Sequence, residues 1–313
     1  MLELDNSKRS QFVTCPRKYY YQYIRNLRSN YGSTALRYGI AYHAGMDAFY
    51  NYTKEYGWQH DGKAFQAAVE GAKASWEEES SKALFYEDYR TLENYAQALI
   101  TYVSHFNRDE GMLKVVETER AFKLSMKLSP EEERLFPLIN QEGLNFTGKI
   151  DMEVLLDERS WQVEHKTTGQ PLSIQKNRIH RSPQLIGYTY AGVRLNPEEP
   201  PDGSLVVFHH LSSRKSKKTG EYGKLKIEFE RIPQIYTSAD LVSWRLSFLN
   251  TAESILRSIK ENFWPVQLDN CFIYGKCGYS FLCEQNCPLG EEFLVGFYET
   301  EPWEVAKGVE VTY

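Results

Sequence analysis

The sequence predicts an α/β core wrapped by helices, and three observations carry that expectation. Over 61–82 and 87–108, Ala, Glu, Lys and Leu are abundant while Gly and Pro are scarce, which favours helix. After Gly111 the texture changes to short runs of β-branched and aromatic residues, which favour strands. A long helical pattern then closes the order: helices first, next β-β-β-α-β-β, then helix again.

The elements follow in chain order. The first forty residues hold a helix broken at Cys15-Pro16, followed by the aromatic tract KYYYQYI. Thr34 to Tyr52 reads as a helix carrying His43, with Leu36, Ile40, Met46, Phe49 and Tyr50 at its apolar positions. VVETERAFKLSMKL, FTGKIDMEVLL and SWQVEHKTT are three strands, with DERS (157–160) as the turn between the second and third. Ser182-Pro183 opens a helix, Ser at the N-cap and Pro at the first helical position, that runs to about Leu195. SLVVFHHLSS and KLKIEFERI form a hairpin whose long tip is the basic segment RKSKKTGEYG. A last helix spans about 238–262, before WPVQLDN and a cysteine-rich segment. The acidic tail from Glu291 takes no placement. The expected regions are therefore helical over 1–110, a core over 111–235, and a C-terminal helix, cysteine segment and tail over 236–313.

A length of 313 residues suggests one domain with insertions or about two domains, ample for a buried core. Hydrophobic and charged contents of 42% and 25% are ordinary for a globular chain. The net charge of −5 offers nucleic acid no general attraction, so any such contact needs local basic clusters. MLELDNSKRS has no apolar signal core, and no run approaches the ~20 apolar residues of a membrane span. The expectation is a cytoplasmic protein with no membrane partner.

Asp151 falls in the second strand, just after Gly148-Lys149-Ile150. Glu164 and Lys166 stand two apart in the third, so they share a face. In a hairpin Asp151 comes near both. Two carboxylates and an ammonium gathered on one sheet face are costly unless they bind something. They suit phosphodiester hydrolysis: carboxylates hold Mg²⁺ or Mn²⁺, and the ammonium orients the attacking water or stabilises developing charge. An E-x-K pair on a solvent-facing strand is also common, so D…E-x-K alone leaves both readings open.

TGKIDMEVLL…WQVEHKTTG resembles the G-x-I-D…(D/E)-x-K-T core of RecB-type nucleases in the PD-(D/E)XK superfamily. His43, in GIAYHAGMDAFY, resembles the helical histidine those nucleases use as an additional metal ligand, and an imidazole there can complete a metal's coordination. Gln184 and Tyr188, in SPQLIGYTYAG, match their downstream Q-x-x-x-Y helix, where residues four apart share a face. The resemblance implies a restriction-endonuclease-like central mixed sheet flanked by helices. It implies a catalytic set of Asp151, Glu164, Lys166, Gln184 and Tyr188, with metal held by His43, Asp151 and Glu164. Glu119, in the preceding strand, stands where related nucleases often carry a Glu; an exposed strand residue is the plainer alternative.

Five cysteines are spaced very unevenly: Cys15 alone, then Cys271, Cys277, Cys283 and Cys287. An odd number without a secretion signal argues against a disulfide framework and for metal ligation. C-P-R-K-Y-Y with C…C-x-Y…C resembles the iron–sulfur staple of AddB-type, exonuclease V-type and CRISPR-adaptation nucleases. That implies a 4Fe–4S cluster on Cys15, Cys271, Cys277 and Cys283, joining the N-terminal helical region to the C-terminal segment. Five residues separate Cys271 from Cys277 where those families usually have two, and Cys287 is a spare that could replace Cys271. Zinc in a four-cysteine site is the inorganic rival.

Arg214, Lys215, Lys217 and Lys218 at the hairpin tip are candidate DNA contacts, although charged tips are often only solvated. Arg17-Lys18-Tyr19-Tyr20-Tyr21 suits either stacking on single strands or burial. The expected activity is a metal-dependent DNA nuclease, an exonuclease on single strands or DNA ends. Its setting would be phage or cellular recombination, repair or CRISPR adaptation, with proteins of those processes as partners. The other readings are a non-catalytic DNA-binding or assembly subunit with a four-cysteine metal site, and an iron–sulfur electron-transfer protein that leaves D…E-x-K unexplained.

Overall fold

A computed structural model describes residues 1–28, 32–58, 62–272, 276–284, 298–300, 302–303 and 309–312. Cys287 and most of the acidic tail lie outside the described residues. The strands are β1 (Leu2–Leu4), β2 (Leu27–Arg28), β3 (Leu113–Ser125), β4 (Leu144–Leu156), β5 (Arg159–Thr168), β6 (Gly203–Ser212), β7 (Lys226–Gln234), β8 (Glu299–Thr300) and β9 (Val311–Thr312). No helix among the described residues is long and apolar enough to cross a membrane.

The chain divides into two compact units: Met1–Tyr31, Ala121–Lys149 and Ser238–Tyr313 form one, Gly32–Arg120 and Ile150–Thr237 the other. These interleave along the chain. β3 and β4 each contribute residues to both units.

In the second unit, neighbouring strands run in the order β7-β6-β5-β4-β3. β4 and β5 pair antiparallel, from Met152↔Val163 to Leu156↔Arg159, closing on the two residues Asp157 and Glu158. Both have left-handed backbones, φ 51° and 63°, the primed turn whose twist matches that of the strands. β6 lies parallel to β5 and β7 returns antiparallel along β6, so the sheet is mixed. Parallel strands need a crossover, and here it is made of two helices, Leu172–Ile179 and Pro183–Leu195. The first was not foreseen.

Alternation along the strands sends side chains to two layers. Met152, Val154, Val163, Leu205 and Val207 pack with Tyr42, Met46, Tyr95 and Leu99 from the helices Thr34–Tyr56 and Leu92–His105. Val206 and Phe208 face Ile179 and Leu185 on the crossover helices. Thr34–Tyr56 packs closely on Lys63–Lys82 through Gly45, where a Cβ would lie 1.9 Å from the Tyr95 hydroxyl and 2.8 Å from the Ala68 carbonyl oxygen. The helix foreseen from 87 starts at Leu92, because Thr91 caps it by accepting the Asn94 N–H at 3.2 Å.

In the first unit, Asp5 caps Asn6–Thr14 by accepting the Lys8 N–H at 2.8 Å, and Pro16 starts the next turn. Phe146 packs between Trp244 and Phe248 of Ser238–Glu261, with ring centroids 5.0 and 4.9 Å away. Two short helices, Pro130–Leu135 and Pro137–Glu142, were also missed. Ser129 and Glu132 form a capping box on the first, a signal present in the sequence. Buried Glu253 accepts the Leu138 and Ile139 N–H groups at 3.0–3.1 Å at the start of the second.

Candidate metal centre and catalytic face

The β4–β5 register, carried one residue past Met152↔Val163, sets Asp151 across from Glu164 on one face of the ladder. The regular pairing stops there. Asp151 Oδ2 instead accepts the backbone N–H of His165 at 2.7 Å, so the carboxylate takes the place of a ladder bond and is locked to β5. His43, on the helix Thr34–Tyr56, brings Nδ1 to 3.2 Å from the same oxygen.

Glu119 completes this group. One ligand atom each from His43, Glu119 and Asp151 lie within 4.8 Å of one another. Donors around an octahedral Mg²⁺ at ~2.1 Å stand about 3 to 4.2 Å apart, so a small contraction suffices. Glu119 has a left-handed backbone, φ 50°, inside β3. Buried positions fall on Leu113 and Val115 before it and on Phe122 and Leu124 after it, a change of phase that marks a bulge. Such a conformation costs a residue with a side chain about 1–3 kcal/mol and clusters at functional sites.

Glu164 and Lys166 share a face as expected, and Gln184 joins them. Lys166 Nζ donates to Glu164 Oε1 and to Gln184 Oε1, both at 2.8 Å. Gln184 Nε2 donates to Glu164 Oε1 at 2.8 Å, and lies 3.4 Å from the Tyr188 hydroxyl. Glu164 is 4% exposed, and its Oε2 is buried with no hydrogen-bond partner among the described residues. Of the residues expected to hold metal, His43 and Asp151 therefore come together with Glu119, while Glu164 Oε1 is engaged by Lys166 and Gln184 and Oε2 is left over.

The charged groups of this face shift one another. Burial opposes ionisation of Asp151, but His43 and the His165 N–H outweigh it and hold the carboxyl at about 2. Burial likewise opposes charging of His43, yet Asp151, Glu164 and Glu119 prevail and raise it to about 9. Glu164 is raised, first by burial and then by the charge of Asp151.

Behind the site runs a polar chain that the sequence did not announce. Tyr42 bonds to His209 Nδ1, and His209 Nε2 lies 3.0 Å from His165 Nδ1. Both histidines are at most 3% exposed, and burial lowers their pKa, His165 to about 3 and His209 well below its usual value. Both stay neutral in the fold and would charge once unfolded, near the ordinary pKa of about 6.5. The unfolded chain then binds the extra protons, so stability falls as pH drops below about 6.5, by about 1.4 kcal/mol per pH unit for each histidine. His43, with its raised pKa, is fully stabilising below 6.5 and adds no slope there; Asp151, with its lowered pKa, adds one only below about 4; Glu164, raised in the fold, takes up its proton there first and offsets part of the decline. Urea unfolding between pH 6.5 and 4.5 should show this decline, and His209→Gln should reduce its slope. Equal slopes in the two proteins would mean that His209 is not held neutral.

The basic tip is exposed: Arg214, Lys215, Lys217 and Lys218 all face solvent, with the Lys215 ammonium 5.5 Å from the Tyr222 ring. Tyr19 and Tyr21, by contrast, are 2% and 1% exposed, Tyr19 stacked on Trp264 and Tyr21 on Tyr279, so burial is their use. Cys15 lies among bonds that tie both chain ends together within the first unit. Arg17 N–H donates to Pro265 O at 3.1 Å, the Asn270 amide to Thr14 O at 2.6 Å, and the Tyr279 hydroxyl to Leu27 O at 2.6 Å. Cys15, Cys271, Cys277 and Cys283 are free thiols.

Comparison with known proteins adds the family. A family model described as the PD-(D/E)XK nuclease superfamily matches residues 6–284. Among solved structures the chain resembles SSO0001, at 12% identity and a TM-score of 0.31, over 83% of this chain and 87% of that one. It also resembles a "Putative exonuclease" from Eubacterium rectale, at 13% identity and a TM-score of 0.31, over 78% of this chain and 85% of that one. No curated protein matches the chain.

Proposed function

This chain belongs to the PD-(D/E)XK nuclease superfamily, and we propose that it hydrolyses DNA phosphodiester bonds with Mg²⁺ or Mn²⁺, as an exonuclease on single strands or free ends. The observation that carries this reading is the buried Glu164 Oε2, without a hydrogen-bond partner among the described residues, on a carboxyl that feels the charges of Asp151 and His43, which group with Glu119. Leaving such an oxygen without a partner costs about 1–3 kcal/mol or more, a penalty that a cation removes. The donor set, one imidazole and three carboxylates, fits a divalent ion that prefers oxygen.

His43, Glu119 and Asp151 would hold the ion, with Glu164 Oε2 as a further oxygen donor and water in the remaining positions. The ion would supply Lewis acidity to the phosphoryl oxygen and to the attacking water. Lys166 would orient that water or stabilise the charge that develops on phosphorus-bound oxygen. Gln184 holds both Lys166 and Glu164, and Tyr188 steadies the amide.

The further reading is a RecB/AddB-type nuclease with a structural 4Fe–4S cluster on Cys15, Cys271, Cys277 and Cys283. The four thiols influence one another: burial first, then Cys277, Arg17 in opposition, and Cys15 and Cys271 bring Cys283 to about 11. No three of their sulfurs lie within 4.8 Å of one another. The sulfurs therefore do not arbitrate between zinc and iron, and the cluster reading rests on the resemblance of the cysteine spacing alone. Work in recombination, repair or CRISPR adaptation, alongside proteins of those processes, is consistent with such a module. Against a non-catalytic subunit, His43, Asp151, Glu164, Lys166 and Gln184 are all present.

The test is incubation of anaerobically purified protein with 5′- and 3′-labelled oligonucleotides in Mg²⁺, Mn²⁺ or EDTA. Metal-dependent shortening by wild type and none by Asp151→Ala is expected. Intact DNA under every condition would reject the nuclease reading.

A further inference from the structure

We propose that Arg178 and Arg181 form a phosphate-binding ledge that seats the nucleic-acid strand beside Lys166 and Gln184. This rests on the DNA reading above and goes further, by assigning substrate contacts away from the basic hairpin tip.

The first observation is one of charge. From His165 to Pro197 the chain carries five Lys or Arg and no Asp or Glu, although the whole protein has 42 acidic residues and a net charge of −5. A run without acids next to a cluster of carboxylates creates a local positive field where the overall field is negative.

The second is placement. The helix Leu172–Ile179 begins four residues after Thr168, where β5 ends, and Gln175 Nε2 bonds back to Thr168 Oγ1 at 3.4 Å. Lys176 pairs with Glu230 on β7, so the helix is fastened at the end of the strand that bears Glu164 and Lys166. A turn then follows, with Arg181 N–H on Arg178 O at 3.3 Å and Ser182 N–H on Ile179 O at 2.9 Å. Arg181 precedes Gln184 by three residues, a span of at most about 11 Å between Cα atoms. Gln184 in turn touches both Lys166 and Glu164.

The third is the state of the side chains. Lys176 has found an acid, but Arg178 and Arg181 are exposed and their side chains make no hydrogen bond or ion pair among the described residues. An exposed arginine usually meets an acid on a mixed surface; here there is none in the surrounding sequence to meet. Two planar, unpaired guanidinium groups one turn apart suit successive phosphates, because each fork can bind one in bidentate fashion.

Binding of a fluorescein-labelled single-stranded oligonucleotide, measured in EDTA over a salt series, tests the ledge. Arg178→Gln/Arg181→Gln should bind about tenfold more weakly. Its dependence of log Kd on log salt should be shallower by about 1.4, at about 0.7 per single-strand phosphate. Arg178→Lys/Arg181→Lys should keep most of the slope, and a melting curve matching wild type shows that the Gln variant is folded. If wild type binds and the folded Gln variant has the same slope, the ledge is overturned while the nuclease reading stands. If wild type neither binds nor cuts DNA, the nuclease reading falls first and the ledge falls with it.

Discussion

Replacing Lys166 by alanine should slow DNA cleavage about 10²–10⁴-fold, the range for losing a charged group that acts in the transition state. The ammonium is held by two 2.8 Å bonds, to Glu164 and Gln184, and its side chain is 27% exposed, so it can reach an incoming phosphate. Its removal also leaves Glu164 buried without its nearest cation, which pushes an already raised pKa further up and favours the neutral acid. Binding of single-stranded DNA in EDTA should change by about threefold or less, since the interaction lost is made in the transition state. Full activity in Lys166→Ala would remove this residue from the mechanism. A loss of binding equal to the loss of rate would make it a docking residue instead.

Cys15→Ala should be the most damaging substitution outside the catalytic face. If Cys15 joins Cys271, Cys277 and Cys283 on one cluster, the cross-link closes a loop of about 256 residues and removes more than about 4 kcal/mol of unfolded-chain entropy. Typical stabilities are about 5–15 kcal/mol, so that loss is a large share of the whole. The hydrogen bonds from Arg17, Asn270 and Tyr279 would remain, but each contributes only about 0.5–1.5 kcal/mol. The expected result is insoluble or rapidly unfolding protein with no visible absorption band. A brown, fully loaded and stable Cys15→Ala would reject the ligand assignment.

The grouping of Asp151, Glu164 and Lys166 was legible in the sequence because strands carry a simple code, while its proposed catalytic use came from the resemblance to RecB-type nucleases. A period of two put Glu164 and Lys166 together, and a short turn brought Asp151 back to them. Gln184 and Tyr188 stood out only through their match to the downstream Q-x-x-x-Y helix of RecB-type nucleases; the spacing of four adds that they share a face. Glu119 was less so: its left-handed backbone breaks the alternation of β3, and nothing in ETER announces a bulge. The His165–His209 relay was hidden as well, since a histidine in an apolar strand looks like any core residue until its partner on another strand is known. The helix Leu172–Ile179 escaped notice because its apolar residues are few and its face mostly exposed. Pro130–Leu135 had a readable start, Ser-Pro-Glu-Glu, but six residues are too few for a periodic pattern.

The two-residue reversal at Asp157 and Glu158 acts as a length gauge for chemistry performed five rungs away. An insertion or deletion of a single residue there would shift one strand past the other, turning Asp151 from its partner and every second side chain from core to water. Sequence composition at that corner is free to drift among residues that accept a left-handed backbone, glycine and asparagine above all. Residue number is not, and in that sense an exposed corner belongs to the proposed site.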